Sequence, residues 1–164
     1  MGRWRPPAPK SAPYITKSGF AMLERELDGL WLRRRDVVQA LSAAAAEGDR
    51  SENAEYIYRK KELGGIDRRI RYLQKRMPDL NIVQPKAGSD QVFFGAWTEL
   101  EDEDGSTMRV RVVGADEIDA GAGLISVDSP LAKALLGKRA DDAVNVSIDG
   151  VAREFVILSI WYAE

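Results

Sequence analysis

The sequence predicts an α+β protein in two parts: an N-terminal antiparallel coiled-coil hairpin, then a small domain of short strands with one helix. Three observations predict it. Two long segments share an apolar repeat whose steps alternate between three and four residues, the mark of a coiled-coil seam. The run GDRSENAEY at 48–56 separates them and carries no large apolar side chain before Tyr56. Beyond residue 80 the apolar period shortens to two, and turn residues punctuate the runs.

Residues 1–13 hold four prolines and three basic residues and read as a disordered or polyproline-like tail. The hairpin is expected over 14–79. Thr16 is a good N-cap for a first helix reaching about Glu47. Its seam is Phe20, Leu23, Leu27, Leu30, Val37, Leu41 and Ala44, with Arg34 as a polar intruder. Ala43 to Ala46 favour helix up to the turn, and Gly48 suits the C′ position. The second helix, about 51–77, repeats the seam with Tyr56, Leu63, Ile66, Ile70, Leu73 and Met77, and Arg59 intrudes. Phe20 with Met77, Leu27 with Ile70 and Leu41 with Tyr56 sit symmetrically about the turn. Arms of roughly 30 residues span about 45 Å, so the turn at 48–56 is the tip of a rod. Gly64 and Gly65 break the helical rule at a cost of roughly 2 kcal/mol. The register sets them across from Arg34, leaving that arginine room to reach solvent. Pro78 stops the helix.

The tip carries Asp49, Glu52 and Glu55. One reading is capping, with Asp49 as N-cap and Glu52 at N3 of the second helix, where acids suit the helix dipole. The other is a presented carboxylate cluster. Carboxylates are hard oxygen ligands, and Mg²⁺ takes one or two of them. Both readings hold together, since a capped tip is also a rigid one.

The second helix has a strong sign bias. From Arg59 to Arg76 it holds Arg59, Lys60, Lys61, Arg68, Arg69, Arg71, Lys75 and Arg76 against only Glu62 and Asp67. Pairing at i,i+4 cannot neutralise that excess. Most charge runs are solvated faces, but a single-sign stripe along a rod is also a footprint for phosphates. Tyr58 and Tyr72 are available to stack on bases, whereas the spacing of Tyr56 puts it in the seam.

Residues 80–90 read as a linker with Pro85, Gly88 and Ser89. The C-terminal domain is expected over 91–164. Strands are predicted at 92–100 and 108–113 around Asp104-Gly105, at 124–127, and in a last hairpin, 144–148 with 152–161, around Asp149-Gly150. Asp128 or Ser129 caps a short helix with Pro130 at N1, and Gly137 closes it.

The net charge of −2 hides a division. Up to Asp79 there are 17 basic against 11 acidic residues, and thereafter 7 against 15. Such asymmetry suits nucleic acid for the first half and protein for the second. There is no cysteine and no histidine, which excludes a structural zinc site and imidazole acid–base chemistry. No stretch approaches the ~18 apolar residues of a membrane span, and no apolar signal core opens the chain. The reading is a cytoplasmic protein with no membrane partner.

The tip run, followed by YRKK and IDRRIRYL, resembles the bacterial Gre transcript cleavage factors, in the GreB rather than the GreA version. The resemblance continues in VFFGAW, VRVVGADEID and ISVDSPLAKALLGK, and covers the chain from about Tyr14 onward. It implies an FKBP-like fold for the second domain, docked at the rim of the secondary channel of bacterial RNA polymerase. It implies that the hairpin enters that channel and stimulates cleavage of nascent RNA in backtracked complexes. The factor would not be an enzyme by itself. Asp49 and Glu52 would help hold a second Mg²⁺ shared with the polymerase, and Glu55 would help hold the tip and the attacking water. Arg59, Lys60, Lys61, Arg68, Arg69, Arg71 and Lys75 would hold the extruded RNA 3′ segment, and DNA of the transcription complex is a further partner. Two departures from the family pattern are the glycines at 64 and 65 and Asp141, where glycine is usual. A channel-binding inhibitor without cleavage stimulation and a plain RNA-binding arm are the competing readings.

Overall fold

The computed structural model of the chain describes residues 10–47 and 53–163. They form two compact units, one from residues 20–47 and 53–80 and one from residues 10–19 together with 81–163.

In the first unit, α1 (Lys17–Ala45) and α2 (Ala54–Arg76) form the predicted pair. Leu23, Val37, Ala44, Ile66, Ile70 and Leu73 are buried. Val37, Ile66 and Ile70 form one cluster, against which Leu27, Leu30 and Leu63 pack. Three cross-helix ion pairs, Arg33–Glu62, Arg34–Asp67 and Arg69–Glu26, bracket the symmetric register read from the seam. Beyond Arg76 the chain tightens into a 3₁₀ turn, Met77–Asp79, because Pro78 offers no amide hydrogen to continue the α-helix.

Two expectations for this unit need correction. The N-cap of α2 is Asn53, not Asp49. Asn53 Oδ1 accepts from Tyr56 N at 3.1 Å, and its Nδ2 donates to Ala44 O at 2.8 Å. One amide thereby satisfies an orphan donor of α2 and an orphan acceptor of α1. A carboxylate, which only accepts, could not do both. The second correction concerns Gly64 and Gly65. Arg34 does not use the space they leave but donates to Asp67 at 2.7 Å. The guanidinium of Arg68, one turn on, lies over both, 3.4 Å from where a Gly64 Cβ would stand.

The second unit centres on a five-stranded sheet in the order β5-β4-β3-β7-β6. Its strands are β3 (Trp97–Asp102), β4 (Thr107–Val113), β5 (Leu124–Ser126), β6 (Ala143–Ile148) and β7 (Val151–Trp161). Within this sheet only the β4–β5 pair is parallel. The short helix α3 (Pro130–Leu135) has Ser129 as its N-cap. Leu131, Ala132 and Leu135 pack with Leu100, Val110, Val112, Val144, Phe155 and Ile157 into the core. This is the α+β domain that the sequence predicts. Its last hairpin turns through Asp149 and Gly150, both at positive φ, as a type I′ turn requires. Asp141 has φ 70°, so the position that departs from the family pattern is one where glycine is cheap. The first strand starts at Trp97 rather than at 92. Val92 instead bonds Gly137 and Lys138 through its backbone, and Gly95 turns left-handed at φ 88°.

Residues 14–15 and 81–82, expected as hairpin and linker, form a parallel two-stranded ladder, β1 (Tyr14–Ile15) with β2 (Asn81–Ile82). Next to it, Thr16 Oγ1 accepts from Gly19 N at 3.0 Å and caps α1 as predicted. Glu117, from the 3₁₀ turn Ala115–Glu117, accepts from Thr16 N at 3.0 Å, Gly114 N at 2.8 Å and Thr16 Oγ1. The opening turn of α1 thus belongs to the C-terminal unit.

Candidate nucleic-acid interface and hairpin tip

Asp49 and Glu52 lie outside the described residues, as does Gly48. What the structure fixes is the frame around them. With Asn53 as cap, α2 starts at Ala54, so both acids precede the helix and neither is needed to cap it. Glu55 lies in the first turn of α2. It is half-exposed and takes Arg59 Nε at 2.8 Å. The third expected tip acid is therefore already engaged by a cation.

Arg59 is a bridge rather than a free stripe member. Its NH1 reaches Glu62 at 3.1 Å, and Glu62 also receives Nε and NH2 of Arg33, at 2.8 and 2.5 Å. The row Glu55–Arg59–Glu62–Arg33 crosses from one helix to the other. Arg33, and then Arg59, hold the Glu62 carboxyl below its ordinary range. The hydrogen bond to Glu55 raises Arg59 above its own. The seam pattern marked Arg59 as an intruder, and this row is the reason it stands there.

Arg69 also leaves the stripe. It grips Glu26 with Nε at 2.7 Å and NH2 at 3.0 Å, a bidentate staple between the helices. Its guanidinium lies 5.2 Å from the centroid of Tyr72. Of the seven predicted RNA-binding residues, Lys60, Lys61, Arg68, Arg71 and Lys75 are exposed. None of these five makes an ion pair among the described residues. Lys61, Arg68 and Lys75 recur every seven residues, on the side of α2 opposite Ile66, Ile70 and Leu73, at intervals of ~10.5 Å. Arg71, which adjoins the seam in sequence, is more available than Arg69. The two arginines differ because only Arg69 has an acid facing it on α1.

Among the described residues no group of three or more acidic side chains is placed to hold a metal ion. The other two acids expected to hold a cation, Asp49 and Glu52, lie outside the described residues. Two hard carboxylates suit Mg²⁺ when other ligands come from elsewhere. Among the same residues, no helix is long and apolar enough to cross a membrane.

The profile "Transcription elongation factor, N-terminal" matches residues 13–82, and "Transcription elongation factor, GreA/GreB, C-term" matches residues 85–162. The chain belongs to the GreA/GreB family of transcription elongation factors. It is similar to transcription elongation factor GreB of Xanthomonas axonopodis pv. citri, 57% identical over 99% of both chains. GreB of Pseudomonas aeruginosa is 50% identical over 99% of this chain and 98% of its own. GreB of Haemophilus influenzae is 51% identical over 91% and 96%. Among solved structures, the GreA factor homolog 1 protein of Thermus thermophilus covers 90% of this Gre-family chain and 97% of its own, at 27% identity and a TM-score of 0.42.

Proposed function

We propose that this chain works as a GreB-type factor. It binds RNA polymerase and stimulates the polymerase's own endonucleolytic cleavage of nascent RNA in backtracked complexes, which restarts arrested elongation. The observation that carries this reading is near end-to-end similarity to factors named GreB, with D-R-S-E-N-A intact at 49–54.

The chain supplies position and charge to another enzyme's active centre. The acidic C-terminal unit docks at the rim of the secondary channel. The arm carries Asp49 and Glu52 to the reacting phosphodiester, where they and the polymerase jointly hold a second Mg²⁺. When bound, that ion neutralises developing charge and lowers the pKa of a coordinated water. Because Asn53 takes the cap, neither acid is needed to cap α2. Glu55 acts through Arg59 and the cross-helix row, holding the end of the arm firm. Lys60, Lys61, Arg68, Arg71 and Lys75 hold phosphates of the extruded RNA 3′ segment, supported by their exposure and their lack of acid partners among the described residues. The place of action is the cytoplasm, with the polymerase.

The test is cleavage of 3′-labelled RNA in purified, backtracked polymerase complexes with and without the protein. Shortened transcripts that resume elongation are the expected result. Binding that slows synthesis without shortening the transcript would assign the chain to channel-blocking inhibitors instead. Binding to RNA with none to polymerase would leave only a helical RNA-binding arm.

A further inference from the structure

The basic face of α2 does not account for a second feature of the arm. Trp31 lies on α1, away from the apolar seam, and stays 46% exposed. Trp31, Arg34, Arg35, Val38 and Gln39, all on α1, line a shallow, open groove of ≈ 380 Å³. Arg34 is fixed there by its 2.7 Å bond to Asp67 of α2, so the groove has a neutralised ion pair at its edge. Arg35 and Gln39 are exposed, and Arg35 makes no ion pair among the described residues.

The Arg34–Asp67 bond also shows which α2 residues lie on the same flank as the groove. Trp31 precedes Arg34 by one turn, and Arg71 follows Asp67 by one turn. In an antiparallel pair these steps run in the same direction, so Trp31 and Arg71 stand on the same flank, about 7.5 Å apart along the axis in the register that pairs Leu27 with Ile70. Asp28, one turn before Trp31, lines a separate groove with Ala21, Glu24, Arg25, Leu27 and Met77.

An exposed indole with Arg35 beside it and Arg71 further along the same flank, neither in an ion pair among the described residues, matches a π-face flanked by negative charge. We propose that this groove seats a base of single-stranded RNA, with Trp31 stacking on the base and Arg35 and Arg71 holding the phosphates on either side. The occupant follows from charge. A protein partner would need a buried acidic surface to match both arginines, whereas every nucleotide brings its own phosphate. The inference deepens the proposed RNA-holding role of the arm and rests on it. It extends the RNA path from the outer face of α2 onto the flank of α1 and adds a contact insensitive to salt.

The experiment measures binding of the full-length protein to a fluorescent single-stranded RNA oligonucleotide at several salt concentrations. It compares wild type with Trp31→Leu, Trp31→Phe and Arg35→Ala. Base–aromatic stacking predicts that Trp31→Leu weakens binding about fivefold or more, with the salt slope unchanged. Phenylalanine keeps a π-face and retains most of the affinity. Arg35→Ala reduces the slope by about 0.7, the loss of one phosphate contact on a single strand. Unchanged RNA affinity in Trp31→Leu overturns the inference, and so does a wild-type chain that does not bind the oligonucleotide. Weaker binding of Trp31→Leu to RNA-free polymerase, with RNA affinity intact, reassigns the groove to a protein contact. Wild-type cleavage stimulation is scored in parallel. Its absence sinks the proposed function, while its presence beside unchanged Trp31→Leu binding sinks only the groove.

Discussion

Gly19 offers a sharp test of how the first helix is rooted. A Cβ at this position would overlap Glu117 Oε1 and stand 2.6 Å from its Cγ. The carboxylate would have to leave Thr16 N, Thr16 Oγ1 and Gly114 N, or meet them in worse geometry. Hydrogen bonds to a charged group contribute roughly 1.5–3 kcal/mol each, and a shifted carboxylate keeps some of them. We take the loss as about 2–3 kcal/mol. Replacing glycine by alanine in a helix returns roughly 0.5–1 kcal/mol, so Gly19→Ala should destabilise by a net ~1–2 kcal/mol. In a Glu117→Ala background the obstruction is gone, and the same substitution should stabilise by up to ~1 kcal/mol. The assay is a double-mutant cycle by denaturant unfolding of the four proteins. At this chain length each kcal/mol also moves the melting temperature by about 2–4 °C. A Gly19→Ala effect of the same sign and size in both backgrounds would refute the reasoning.

Asp49→Ala and Glu52→Ala should each leave unfolding and polymerase affinity nearly unchanged while strongly lowering transcript cleavage, because Asn53 does the capping. Full cleavage by either variant at ordinary Mg²⁺ removes the acids from the proposed chemistry. Replacing Lys61, Arg68 and Lys75 by alanine should lower the salt slope of RNA binding by about 2 and impair cleavage of far-backtracked RNAs more than of short ones. Arg69→Ala should instead loosen the arm and leave the salt slope unmoved, and the reverse pattern would restore Arg69 to the RNA face. The cross-helix row should respond to pH. Glu62 titrates below its ordinary 4.5, so its contribution is present above that value and fades as pH falls through the lowered one. Thermal melts in the acid range should show that fading in wild type and less of it in Glu62→Gln.

The seam was legible because burial leaves a period in the sequence. Val37, Ile66, Ile70 and Leu73 fall where the three-and-four alternation puts them. The sheet domain was legible through turn chemistry, most directly at Asp149-Gly150. Polar bookkeeping was not legible. Asp49 and Asn53 are both good cap residues, and the choice depended on Ala44 O lying within reach of an amide donor. Likewise Arg68 and Arg69 are neighbours of one type. Only the facing Glu26, 43 residues away in the chain, makes one a staple and leaves the other on the outer face. The root of α1 was hidden for the same reason, since Glu117 meets Thr16 from 101 residues away. Of the candidate site, the outward residues were readable as a charge bias, and their sorting required the partner helix.

Asn53 has a consequence for how the end of the arm can change over time. Its one side chain ties the exit of α1 to the entrance of α2. The chain on either side of the segment between them is therefore held together by that one residue. Lengthening that segment is cheap, at about 0.6 kcal/mol for each doubling. Chemistry at the tip can be rewritten as a cassette, acids removed or residues added, without resetting the register of the helices behind it. An arm of this construction can carry a different payload to the same address, provided the asparagine stays.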